Sequence, residues 1–81
     1  MMRIADLRTG DLVKLPGAGS ALFITDLEHP LYPMLRLVIW RTPDGVTFMD
    51  ALSARQDLGE VAPSTLAERQ ARLRAALNGA P

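Results

Sequence analysis

Apolar and polar positions alternate over residues 10–15 (GDLVKL), with Val13 and Leu15 on one side of the chain and Lys14 on the other. That is the two-residue period of a half-buried strand. Residues 21–27 (ALFITDL) and 35–40 (LRLVIW) are richer still in β-branched and aromatic side chains, which predicts two more strands. Pro16-Gly17-Ala18-Gly19-Ser20 separates the first two: the proline ends pairing and the glycines accept positive φ, so the chain turns there. Thr42-Pro43-Asp44-Gly45 puts Pro at the second position of a turn and Asp-Gly at its end, which predicts a hairpin between LRLVIWR and VTFMD. Residues 53–57 (SARQD) show neither period nor core residues, and Leu58-Gly59-Glu60-Val61 suffices only for a short closing strand. The pattern predicts four strands and a short fifth.

After Pro63 the period lengthens. Thr65-x-x-Glu68 has the spacing at which two side chains satisfy each other's free backbone N–H groups at a helix start. A helix to about Leu77 is expected, with Asn78-Gly79 stopping it in the left-handed conformation and Pro81 unable to continue it. Leu66, Leu73 and Leu77 fall in a narrow stripe flanked by Arg69 and Arg74. So short a helix is marginal in water by itself, and the stripe needs an apolar dock. Strand alternation that buries Leu35, Leu37 and Ile39 turns Arg36, Val38 and Trp40 outward. Two arrangements then follow: the leucine stripe covers Val38 and Trp40, or Trp40 stays a partly exposed platform.

Five short antiparallel strands, opened by Leu7-x-x-Gly10-Asp11-x-Val13-x-Leu15 and joined by a turn-rich first loop and a central hairpin, resemble the small SH3-like β-barrels of bacteria and phages, including the KOW-like and Tudor-like groups. The resemblance spans residues 6–61. It implies a mainly β protein: a five-stranded antiparallel barrel over residues 1–62, with the helical residues 63–81 packed on it as part of the same domain. It also implies a single-turn 3₁₀ segment near SARQD. The chain departs from peptide-binding SH3 domains in its first loop, PGAGS, which is neither acidic nor aromatic, and in having one Trp. Phe23, Tyr32, Trp40 and Phe48 are its only aromatic residues besides His29, too few for a Tudor-type cage.

The 81 residues set an expectation of one domain, burying roughly 60–65% of the unfolded chain's surface. The lack of cysteine removes disulfides and thiolate metal sites together and fits a reducing cytoplasm. The N-terminus has no apolar signal region and no run approaches the roughly 18 apolar residues of a membrane span, so the expected protein is soluble and untargeted. Nine basic residues balance nine acidic ones, which leaves no global field for nucleic acid or an anionic membrane. All the basic residues but Lys14 are Arg and alanine is frequent, a codon bias of GC-rich genomes such as those of actinobacteria and their phages.

Residue by residue, catalytic chemistry is not expected. His29 lies close to Asp26 and Glu28, but there is no second His and no further ligand at metal-binding spacing. Ser20 follows a Gly-x-Gly, yet no helix start comes next to receive a phosphate. A serine triad lacks its base and its depth. No metal, cofactor or enzymatic activity is therefore expected. A nucleic-acid-binding barrel, with Trp40 stacking among Arg36, Arg41, Arg69, Arg72 and Arg74, is the alternative function; Asp44, Asp50, Asp57 and the zero net charge weigh against it. The remaining feature is the loop HPLYPM. Pro30 and Pro33 restrict it before any contact, so Leu31, Tyr32 and Met34 lose little entropy on meeting another protein or a second copy of this chain; alternatively the loop folds back as a lid on the core. The function expected is that of a small cytoplasmic accessory protein, a protein-interaction module whose contact residues are Leu31, Tyr32, Met34, Arg36, Trp40 and Arg69.

Overall fold

A computed structural model describes residues 2–78. A 3₁₀ turn (Ile4–Asp6) leads into strands β1 (Leu12–Leu15), β2 (Gly19–Glu28), β3 (Leu35–Arg41) and β4 (Thr47–Ser53), followed by helix α1 (Leu66–Leu77). The strands form one antiparallel sheet in chain order. Leu15 pairs with Gly19 across the tight first turn. At the β3–β4 hairpin Gly45 takes φ 92°, and the Thr42 hydroxyl donates to the Asp44 carboxylate while accepting the Val46 N–H at 3.0 Å. The Pro-Asp-Gly turn thus forms where its chemistry requires it.

The largest apolar side chain in the protein marks which face of the sheet is the inside. Phe23, Trp40 and Phe48 stand in one row across β2, β3 and β4. Phe23 and Trp40 meet edge to face with centroids 5.9 Å apart, and Trp40 is 0% exposed. Ile4, Leu7, Val13, Ala21 and Val38 complete the buried cluster. The facing of β3 expected from alternation is therefore reversed: Val38 and Trp40 point inward, and Leu35, Leu37 and Ile39 lie on the other face. The reversal follows from where cover is available. The N-terminal turn supplies Ile4 and Leu7, and the segment after β4 brings Leu58 and Val61 over the same face. The Trp40 indole N–H has no hydrogen-bond partner there, a cost of about 1–3 kcal/mol that the aromatic packing has to offset.

The sheet is not closed. Among the described residues no fifth strand is present at residues 58–61, nor a 3₁₀ turn at SARQD. Residues 58–61 instead lie beside the N-terminal segment, where the Leu58 N–H donates to the Met2 carbonyl at 2.8 Å. The reason is local. The Asp57 carboxylate accepts the Gly59 N–H at 2.8 Å and Gly59 turns at φ 75°, so the chain bends where a ladder would have to run straight.

Helix α1 starts as its sequence predicts: the Thr65 hydroxyl accepts the Glu68 N–H at 3.1 Å, and the Glu68 carboxylate accepts the Thr65 N–H at 2.9 Å. The Thr65 backbone N–H foremost, then the Thr65 side chain, hold the Glu68 carboxyl below its ordinary pKa, with Arg72 adding to the effect. At the other end Asn78 has φ −75° and is not left-handed; Gly79 and Pro81 lie outside the described residues. The docking differs from the expected leucine stripe. Ala76 is buried and Arg69, Arg72 and Leu73 are half-buried, whereas Leu66 and Leu77 are exposed, about a quarter-turn away at roughly 100° per residue. Three leucines in twelve residues make too thin a stripe, and polar bonds hold the helix instead. Arg41 donates to the Ala76 carbonyl at 3.3 and 3.1 Å, and Arg72 donates to the Gly10 carbonyl at 3.2 Å and the Ser64 hydroxyl at 2.7 Å. Arg41 lies on the sheet face opposite Trp40, so α1 covers neither Trp40 nor Val38.

Gly10 is the tightest point of this docking. Its φ is 96°, and a Cβ there would come within 2.7 Å of Arg69 Cβ and 2.8 Å of the Arg69 carbonyl oxygen. Gly10→Ala is expected to cost about 2–4 kcal/mol in urea melts followed by Trp40 fluorescence. Gly17→Ala, at φ 73° in open space, costs about 1 kcal/mol. Equal losses would contradict the close approach. A second outcome concerns pH. A carboxyl with a lowered folded-state pKa contributes stability above its unfolded pKa and loses that contribution as pH falls through the folded value. The helical circular dichroism signal should therefore fall on the acid side of the ordinary Glu range, and Glu68→Gln should remove that step.

Candidate interaction surface

One extra residue changes the polarity of the sheet along its length. Phe23 pairs with Trp40, but the next pair is Thr25 with Ile39, which leaves Ile24 as a bulge in β2. Beyond the bulge Thr25 and Leu27 share a face with Ile39 and Leu37, and β4 continues these rows with Met49 and Ala51. Asp26 and Glu28 share the opposite face with Val38 and Arg36, continued by Asp50 and Leu52. Near β1 the inner face carries the aromatic row. Toward residues 29–34 that same face becomes charged, with Arg36 Nε donating to Asp26 Oδ2 at 2.8 Å. The outer face there is apolar.

This outer block of Thr25, Leu27, Leu37, Ile39, Met49 and Ala51 contains no charged side chain. Leu27 is 51% exposed and Met49 59%. An antiparallel sheet with one solvated face ordinarily turns polar residues to water, and this segment does the reverse. Helix α1 is bonded to the same face at Arg41, one row along from the block, where Leu22 is buried.

The loop between β2 and β3, at the end of the sheet next to this block, carries further exposed apolar side chains. His29 Nδ1 accepts the N–H groups of both Leu31 and Tyr32 at 3.1 Å, and its ring lies 5.1 Å from that of Tyr32. The Tyr32 carbonyl accepts the Leu35 N–H at 3.0 Å, and the Met34 carbonyl accepts the Ala54 N–H at 2.9 Å. Pro30 and Pro33 fix their own φ and supply no donors, so His29 is the clasp that satisfies the loop's amides. Leu31 and Met34 are exposed and Tyr32 is 58% exposed; a lid over the core would bury them. The imidazole is a structural acceptor, Asp26 is engaged by Arg36, and no metal-binding cluster occurs among the described residues.

The six contact residues expected from sequence do not come together. Leu31, Tyr32 and Met34 share the loop. Arg36 is paired with Asp26 on the charged face, and Trp40 lies in the core, which corrects its placement on the surface. Arg69 is half-buried beside Gly10 and donates to the Ser64 carbonyl at 2.7 Å. Arg41 and Arg72 likewise donate to backbone carbonyls and tie the helix down, so three of the arginines grouped with Trp40 as a nucleic-acid patch are engaged within the fold. Leu27, Leu37, Ile39 and Met49 were missed. The signal for them was the charged series Asp26, Glu28, Arg36 and Asp50, which marks the opposite face once the bulge is known. Between the end of β1 and β4 the open side of the sheet leaves a cleft of about 490 Å³, lined by Leu15, Phe48, Leu52 and Leu58 together with Lys14, Asp50 and Asp57.

No family model, curated protein or solved structure matches the chain. No helix among the described residues is long and apolar enough to cross a membrane.

Removing the clasp tests the loop. His29→Ala should speed amide hydrogen exchange at Leu31 and Tyr32 while lowering global stability by no more than about 1 kcal/mol. Unchanged exchange at both amides would show that His29 does not hold the loop.

Proposed function

We propose that this chain is a non-enzymatic protein-interaction module built on an SH3-like barrel left open on one side, and that it meets a protein partner through the outer apolar block and the loop of residues 29–34. The observation that carries this is the uncharged apolar face on the side of the sheet away from the core. A core needs one face of a small sheet, and a second apolar face has a free-energy cost in water unless something covers it. The adjoining loop fits the same use. Its backbone is fixed by two prolines and a histidine clasp, so its exposed Tyr and Met lose little freedom on contact. Tyr and Met are enriched at interfaces, and a flat apolar centre with an aromatic at its margin is the common anatomy of such surfaces. The four-stranded meander and the Leu-x-x-Gly-Asp-x-Val opening support the SH3-like reading of the architecture.

Tyr32→Ala tests this use. The side chain is more than half exposed and bonds nothing in the core, so the melting temperature should be unchanged, while association with a captured partner weakens by about 1–3 kcal/mol, the value of an interfacial aromatic anchor. Melts alongside quantitative pull-downs from a cell extract would check both. A lowered melting temperature with undiminished capture would place Tyr32 in the fold instead of the interface.

A further inference from the structure

We infer that the chain forms a closed, two-fold symmetric dimer in which the outer block of β2, β3 and β4 stacks on the same block of a second copy. This rests on the interaction surface proposed above and names its occupant. The block presents Leu27, Leu37, Ile39 and Met49 with no charge among them. A partner offering charged groups here would leave them desolvated and unpaired. An identical face does not, and two chains of zero net charge meet without long-range repulsion.

The geometry suits a sheet better than a helix or a loop. Three strands present two complete rows of side chains, and two such faces pack about 10 Å apart with their strands nearly aligned. With the loop residues and Leu35 included, about eight apolar side chains at roughly 50–100 Å² each offer about 400–800 Å² per copy. A stable interface buries about 800 Å² per partner, so the block together with Leu35 and the loop approaches what a dimer needs. The reverse side of the same segment explains why assembly stops at two. There Asp26, Glu28, Arg36 and Asp50 line the sheet, and the apolar block of a third copy would strand them without water. An isologous contact of this kind uses the patch on both copies and leaves none free.

Sedimentation equilibrium of the intact chain across roughly 1 µM to 1 mM tests the proposal. The expected result is a reversible species of twice the 8.8 kDa chain mass, with a melting temperature that rises with concentration. Met49→Glu and Leu27→Glu, both at exposed positions, should each give a single-chain mass while Trp40 fluorescence and far-ultraviolet circular dichroism stay as in the parent. A single chain at every concentration, a dimer that survives both substitutions, or an open-ended series of larger species would each overturn it. Failure here is distinguishable from failure of the interaction surface itself: if the chain is monomeric yet Tyr32→Ala still loses its captured partner, the surface stands and its occupant is a different protein.

Discussion

The bulge at Ile24 is the constraint on which the two-faced character of this sheet depends. Strand side chains alternate with a period of two, so a β2 without an extra residue would carry one polarity from Ala21 to Glu28. With Ile24 unpaired, Ala21 and Phe23 face the core, and Thr25 and Leu27 face away from it on the side of Leu37 and Ile39. Asp26 and Glu28 move to the inner side, where they flank Arg36 and Val38. The same strand therefore helps build a core at one end and an apolar outer surface at the other. Bulges recur where a strand has to re-aim its side chains, and this one separates the part of the sheet that stabilises the fold from the part available for contact.

The core end is economical. Trp40, Phe23, Val13 and Val38 are covered not by a second sheet or by the helix but by short irregular segments, the N-terminal turn and the residues after β4. Among the described residues these segments meet through a backbone hydrogen bond from the Leu58 N–H to the Met2 carbonyl. The cleft beside Leu15 and Phe48 is lined also by Leu58, the first residue of the fifth strand expected from the sequence. The Asp57–Gly59 turn explains why that strand does not form.

Helix α1 is attached in an unusual currency for so small a protein. An apolar stripe was the obvious dock, yet the helix is held by guanidinium groups on backbone carbonyls, Arg41 on Ala76 and Arg72 on Gly10, while Arg69 packs against Gly10 and donates to Ser64 at the start of its own helix. The carbonyls at a helix C-terminus have no intrahelical partners, and a cation there satisfies one while complementing the helix dipole. The consequence reaches function. Arginines that would form a basic patch are committed to the fold, and the leucines expected to dock, Leu66 and Leu77, are left in water.

The element order was legible in the sequence because local chemistry governs it: alternation in β1 to β4, the Pro-Asp-Gly hairpin turn, and the reciprocal Thr65–Glu68 cap all depend on residues within a few positions of one another. The stiff, apolar loop at residues 29–34 was legible for the same reason. What the sequence left open was which side of each element faces inward. In LRLVIW both alternate sets are apolar, so periodicity cannot choose between Leu35, Leu37, Ile39 and Val38, Trp40; the choice is made by distant segments, Ile4, Leu7, Leu58 and Val61, that cover one face and not the other. The bulge belongs to the same category, since it exists only in the register between two strands. The fifth strand failed for a different reason, a side-chain bond from Asp57 to the Gly59 amide that competes with a ladder. Sequence by itself determined the strands, the turns and the cap, which are short-range; the tertiary structure alone decided where Trp40 points, how the helix is held and which apolar side chains remain in water, because burial is shared among residues far apart in the chain.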